Sequence, residues 1–149
     1  MIRKALFSGT FDPFTLGHDA IVRRGLLLFD EIIIGMGINA EKNTFFSLEE
    51  RMSKISTLYS DNTRISVSAY DTLTLDFALQ SGVNFILRGI RNSIDFEYEK
   101  NMAVIHRKLS GIETVFLFSE PEYDAISSSL VRDFILHKKD ISTFIPIKK

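Results

Sequence analysis

Residues Ile32 to Ile38 read Ile-Ile-Ile-Gly-Met-Gly-Ile, a continuous apolar run. Such a run marks a strand buried on both faces, and sheets covered on both faces are the parallel sheets of α/β folds. The rest of the chain agrees. Ala5–Phe7 reads as a first strand ending at Ser8-Gly9, and Gly17–Phe29 as a helix, with Ile21, Gly25 and Leu28 on one face and Val22, Leu26 and Phe29 beside it. Ser47 and Glu50 have capping-box spacing, ahead of a helix carrying Leu48, Met52, Ile55 and Leu58 or Tyr59 on one side. Ile65, Val67 and Ala69 alternate like a strand. Leu73–Ser81 is the next helix, with Gly82 placed to end it. Phe85–Leu87 is the fourth strand, and a helix follows from about Ile94 to Leu109, stopping near Gly111. Val115–Phe118 is the fifth strand, Ser128–His137 the fifth helix, and Asp140 is placed to cap a short last turn before Pro146.

Five strands each followed by a helix require a parallel sheet with helices on both faces. The crossovers in such a sheet are right-handed. If the strand order is 3-2-1-4-5, strands one and four are neighbours at the switch point, where open sheets of this kind bind ligands beyond their carboxyl ends. The predicted fold is one α/β domain over residues 1–149, a Rossmann-like doubly wound sheet of five parallel strands. No repeat, low-complexity segment or linker divides the chain, and at 149 residues folding buries roughly two-thirds of the unfolded surface.

A formal charge of −1 gives no basic footprint for duplex nucleic acid. The absence of cysteine excludes disulfides, thiolate metal sites and a cysteine nucleophile. Met1-Ile2-Arg3-Lys4 leads straight into the first strand without the apolar region or cleavage site of a signal peptide, and no apolar run reaches transmembrane length. A soluble cytoplasmic protein, with no membrane partner, is expected.

The unusual residues fall at strand ends. Gly9-Thr10-Phe11-Asp12-Pro13-Phe14-Thr15-Leu16-Gly17-His18 follows strand one. Gly9 permits a tight turn there, Thr10 offers a hydroxyl, and Gly17 opens a helix whose free N–H groups and positive dipole end suit phosphate. His18 stands in that first turn, where its ring can donate to the same phosphate. The segment is not a P-loop, because the lysine-threonine ending is missing. Lys42 lies beyond strand two as a mobile point charge. Arg88-Gly89-Ile90-Arg91 leaves strand four, and guanidinium forks match phosphate oxygens in pairs; the competing reading pairs them with Asp95, Glu97 and Glu99 on the next helix. Ile126-Ser127-Ser128-Ser129-Leu130-Val131-Arg132 places hydroxyls and a second helix N-terminus where they complete a triphosphate cradle, although a serine run is most often a simple cap.

Thr15-Leu16-Gly17-His18 resembles the T/H-x-G-H signature of the nucleotidylyltransferase superfamily. The longer string around it, together with Arg-Gly-x-Arg and the serine run, is similar to the bacterial phosphopantetheine adenylyltransferases over essentially the whole chain. The resemblance implies that AMP passes from ATP to 4′-phosphopantetheine, giving dephospho-coenzyme A and pyrophosphate. It assigns Thr10, Phe11, His18, Gly89, Ile90, Arg91, Glu99, Tyr123, Asp124, Ala125, Ile126, Ser127, Ser128 and Ser129 to ATP. It assigns Thr10, Lys42, Thr74 and Arg88 to phosphopantetheine, and catalysis to His18, Thr10, Lys42 and Arg91. It further implies Mg²⁺ carried on the ATP phosphates without a dedicated protein site, a homohexamer, and feedback binding of coenzyme A. Three departures stand out. Ser8 replaces a common proline and is expected to be harmless, His106 replaces an asparagine near the pantetheine arm, and Asp133 replaces a glutamate. Two other readings stay open: adenylylation of another phosphorylated acceptor such as a mononucleotide, and a catalytically silent nucleotide-binding protein.

Overall fold

Strand side chains point alternately to the two faces of a sheet, and here both faces are apolar. The computed structural model describes residues 1–148. Its strands are β1 (Lys4–Gly9), β2 (Glu31–Gly37), β3 (Ile65–Tyr70), β4 (Phe85–Ile90) and β5 (Glu113–Phe118). They form one sheet in the order β3-β2-β1-β4-β5, every pair parallel, as the sequence predicts. The helices are α1 (Leu16–Gly25), α2 (Leu48–Leu58), α3 (Thr74–Gln80), α4 (Ser93–Ser110) and α5 (Ser128–Leu136), with a 3-10 turn at Pro121–Tyr123. On one face Ala5, Phe7, Ile32, Ile34, Met36 and Leu87 pack with Ile21 and Val22 of α1 and Ile55 of α2. On the other, Leu6, Ile33 and Ile86 pack with Leu75 and Ala78 of α3, with Val83 and with Ile112. No helix among the described residues is long and apolar enough to cross a membrane.

Several elements differ from their expected bounds. Helix α1 ends at Gly25 instead of Phe29. A Cβ at Gly25 would lie 2.7 Å from Leu87 Cδ2, so the helix sits hard against β4 there. Beyond it the chain tightens, with Leu27 N–H bonded to Arg24 O (3.1 Å) and Leu28 N–H to Gly25 O (2.9 Å). Arg64 then satisfies two otherwise orphaned carbonyls, those of Leu26 and Phe29, each at 2.6 Å. Strand β4 runs on to Ile90, so Arg88 and Gly89 lie within the strand and do not leave it.

The capping box is also relocated. Ser47 Oγ does accept the Glu50 N–H (3.1 Å), but the reciprocal pair forms at the start of α1, between Thr15 and His18. Near the other end, Asp140 caps a turn through Ser142 N–H (2.9 Å), and Phe144 O accepts the Leu16 N–H (2.9 Å). The final turn thereby anchors the entrance of α1.

Gly35 in β2 lies between fixed neighbours. A Cβ there would stand 2.7 Å from Leu6 Cδ1 and 3.1 Å from Tyr70 Cε1. Leu6 is fully buried, and the Tyr70 ring is stacked on Phe77 at 4.5 Å. Gly35→Ala is expected to lower the unfolding free energy by about 1–3 kcal/mol, read from urea denaturation. An unchanged midpoint would show that Leu6 and Tyr70 can yield.

Candidate active site

The crevice arises where two neighbouring strands part. β1 pairs with β4 only as far as Phe7–Leu87. β1 nevertheless stays on β2 out to Gly9–Met36, and β4 stays on β5 out to Ile90–Phe118. The last residues of β1 and β4 therefore diverge, and Arg88 spans the opening. Its Nη1 donates to Ser8 O and, at 3.1 Å, to Ser8 Oγ. Above the fork lies a cavity of about 430 Å³.

His18 forms part of its wall, enclosed by Phe11, Phe14 and Phe7 at ring-centroid distances of 5.0, 5.3 and 6.3 Å. Its Nδ1 accepts the backbone N–H of Thr15 at 3.0 Å, while Thr15 Oγ1 accepts the His18 N–H at 3.4 Å. A backbone N–H can only donate, so Nδ1 carries no proton and the neutral ring holds its proton on Nε2. Burial pushes the ring pKa down to about 3, reinforced by the charges of Arg91 and then Arg88. His18 is thus a neutral ring with one free donor, Nε2–H.

The cations surround it. Lys42 Nζ donates to Thr10 Oγ1 at 2.8 Å. Arg88 forms a two-pronged pair with Glu99, at 2.6 and 3.0 Å. Arg91 lies more loosely against Asp95, at 3.4 Å. Of the three acidic partners weighed against these arginines, Asp95 and Glu99 are real contacts and Glu97 is not, yet Arg88, Arg91, Asp95 and Glu99 all still face the cavity. Opposite α1, Ser127 caps α5 by accepting the Leu130 N–H (3.1 Å), and Ser128 Oγ donates to Pro13 O (2.8 Å). Two helix N-termini consequently face one space, both with the partial positive charge that suits anions.

Of the residues singled out in the sequence, Thr10, Phe11, His18, Lys42, Arg88, Gly89, Arg91, Glu99, Tyr123, Ile126, Ser127, Ser128 and Ser129 line this cavity. Ile90 does not: it is buried in the core at the end of β4. Asp124 and Ala125 are exposed outside it. Thr74 belongs to an adjoining compartment of about 160 Å³ that shares Ser8, Arg88 and Glu99 and adds Met102, His106 and Thr114. There His106 has its pKa lowered, by burial first, with Glu99 opposing and the Arg88 charge assisting. The glycines have packing reasons. A Cβ at Gly9 would meet the Phe11 ring at 2.8 Å, and one at Gly89 would meet Ile21 at 3.0 Å, whereas Gly17 has only ordinary contacts.

Asp12, Asn43, Ser119 and Arg132 also line the cavity, although the sequence assigns none of them to a substrate. Arg132 closes the serine run by donating to Asp12 O (2.8 Å) and Ser129 Oγ (3.0 Å). It stood in the recognised element, and its place one helical turn beyond Ser128 was the available signal. Asp12 had no local signal.

A sequence model described as cytidylyltransferase-like matches residues 6–134. A phosphopantetheine adenylyltransferase of Bacteroides thetaiotaomicron is 57% identical, over 97% of this chain and 96% of its own length. One from Bacteroides fragilis is 54% identical, covering 97% of both chains. One from Cytophaga hutchinsonii is 43% identical, covering 99% of both.

The tautomer and the lowered pKa make a joint prediction. Nitrogen NMR of His18 should show the Nε2–H form and no titration between pH 8 and 5; a midpoint near 6.5 would contradict the burial argument. The folded pKa lies below the unfolded value of about 6.5. The ring's stabilising contribution is therefore complete above that pH and declines as pH falls toward 3.

Proposed function

The chain belongs to the cytidylyltransferase-like family, and from that membership we propose that it transfers the AMP half of ATP to 4′-phosphopantetheine, releasing pyrophosphate and forming dephospho-coenzyme A. The relatives' names support this acceptor. The observation that carries the chemistry is the His18 ring, neutral and tautomerically fixed beside cations and two helix N-termini.

An oxygen of the acceptor phosphate attacks the α-phosphorus of ATP in line with the departing pyrophosphate. One P–O bond forms and the α–β bridging P–O bond breaks. The nucleophile needs no protein base, because a phosphate with a second pKa near 6 is mostly dianionic at neutral pH. The protein's work is orientation and stabilisation of charge at the reacting phosphate. His18 Nε2–H donates to the α-phosphate. Lys42 and Thr10 hold the acceptor phosphate, with Arg88 beside them. Arg91, the amides at the start of α5 and Ser127–Ser129 hold the β- and γ-phosphates. A neutral histidine is the appropriate donor here, since it polarises the phosphate without surrendering a proton to it. The adjoining compartment, with Thr74 and His106, receives the acceptor's arm.

Each carboxylate at the cavity wall already has a partner: Asp12 binds backbone amides, Asp95 binds Arg91, and Glu99 binds Arg88. Mg²⁺ held by the phosphates' own oxygens fits that donor set. When bound, the ion neutralises charge on the leaving pyrophosphate. Coenzyme A, which shares both the phosphopantetheine and adenylyl parts of the product, fits the same crevice as a feedback ligand. The site of action in this reading is the cytoplasm.

The reading also includes a homohexamer. Helix α4 has no buried residue in its 18-residue length, and Ile94, Tyr98, Val104, Ile105 and Leu109 stand exposed along it. An apolar surface of this kind marks a contact between chains. Light scattering should give the mass of six chains, falling toward 17.0 kDa in Val104→Lys; a wild-type monomer would refute the assembly.

Pyrophosphate release from ATP and Mg²⁺ should depend on 4′-phosphopantetheine and fall about 10²–10³-fold in His18→Ala. Release that instead requires a mononucleotide acceptor would redirect the assignment, and none with any acceptor would indicate a binding protein.

A further inference from the structure

Asp12 is 4% exposed, yet its carboxylate forms no salt bridge among the described residues. Both oxygens are spent on consecutive backbone amides of a distant loop. Oδ2 accepts the Phe45 N–H at 2.7 Å, and Oδ1 accepts the Phe46 N–H at 2.9 Å. Charge-assisted bonds of this kind are about twice as strong as neutral ones. That loop carries Lys42. Upstream of the contact, the Lys42 N–H is bonded to Asn39 O at 3.0 Å, and Lys42 Nζ reaches Thr10 Oγ1 at 2.8 Å.

A second buried charge secures the same joint from the opposite side. Arg51 of α2, 7% exposed, donates through Nη1 to Thr10 O (2.7 Å) and through Nε to Phe46 O (3.2 Å). Between these anchors Phe11 has φ of 53°, a left-handed conformation that a bulky residue adopts only when its surroundings impose it. Arg132 holds Asp12 O from α5. The first loop and the lysine loop are therefore fixed to each other at their bases, while the residues between Asn39 and Asn43 are exposed.

We propose that Asp12 is a positioning residue for Lys42: by clamping the Phe45 and Phe46 amides, it sets the lysine loop so that the ammonium group stands beside Thr10. The inference rests on the reaction proposed above, in which Lys42 holds the acceptor phosphate. Both carboxylate oxygens of Asp12 are engaged by the amides, so it acts through the loop. An asparagine at this position keeps the shape but presents one oxygen and one NH₂ group to two N–H donors, so one of the two bonds is lost.

The test is a double-mutant cycle on acceptor-dependent pyrophosphate release, using Asp12→Asn, Lys42→Ala and the double variant. Asp12→Asn is expected to lower kcat/KM for phosphopantetheine about 10–100-fold, with ATP affinity nearly unchanged. In the Lys42→Ala background the same change should cost less than about 2-fold, because the group being positioned is already gone. Equal losses in both backgrounds would show a role independent of Lys42 and overturn the proposal. If Asp12→Asn does not fold, Asp12→Glu takes its place in the cycle. It keeps the charge but sets it one methylene from its position, so it should also lose activity; full activity in Asp12→Glu would overturn the proposal as well.

A wild type that releases no pyrophosphate with this acceptor would sink the reaction and leave the clamp to be judged by amide exchange at Lys42. Faster exchange there in the Asp12 variant supports the clamp, and unchanged exchange overturns it.

Discussion

The parting of β1 from β4 beyond Phe7–Leu87 is the constraint on which the site depends. Each strand follows its other neighbour for the remainder of its length, so the sheet opens between Ser8-Gly9 and Arg88-Gly89. Opening a ladder exposes backbone groups that need partners. Arg88 supplies one by donating to the Ser8 carbonyl, and Ser8, a departure expected to be without consequence, takes a second bond through its hydroxyl. The same guanidinium is held from the other side by Glu99 of α4. A structural repair of the fork therefore places a cation at its edge, where an anionic substrate enters.

Around the fork, local helix chemistry and the chemistry of the site use the same residues. Thr15 and His18 close a box that starts α1, and the bond that caps the helix also fixes the imidazole proton on Nε2. The Phe7, Phe11 and Phe14 rings pack around the half-buried imidazole, while Arg88 and Arg91 oppose its protonation. Burial, capping and positive charge all favour the same neutral donor. The cations in turn are moderated by carboxylates, so a crevice prepared for two anions is not an uncompensated cluster of like charge.

The two sides of the molecule differ in how finished they are. Around α1, α2 and α5 the loops are tied together by polar groups, the buried Asp12 and Arg51 and the half-buried Arg132 and Ser128, each bridging segments far apart in sequence. Helix α4 instead lies against the sheet with an apolar outer surface uncovered. The crevice thus has a rigid wall on one side and, on the other, a helix that carries Glu99 and His106 inward and apolar residues outward.

The α/β architecture was legible in the residues alone. The apolar run at β2, the alternation in β3 and the helical periods between strands were enough for five parallel strands, because burial on both faces leaves a periodic record in the residues; their order, which no periodicity records, is set by the ladders themselves. The sequence also placed most of the cavity wall, since functional residues in such sheets follow strand ends. Where it failed, the cause was specific. A capping box was read at Ser47–Glu50 because its usual signature ends in a carboxylate or amide, and an imidazole acting as the acceptor at His18 lies outside that pattern. Ile90 was placed in the site although β4 continues and buries it. The Asp12 contacts, the Arg51 bonds, the pairing of Arg88 with Ser8 and the depressed pKa of His18 came from packing in three dimensions. Hydrogen bonds between residues 33 to 80 positions apart leave no periodicity in a sequence, and desolvation depends on which side chains surround a group.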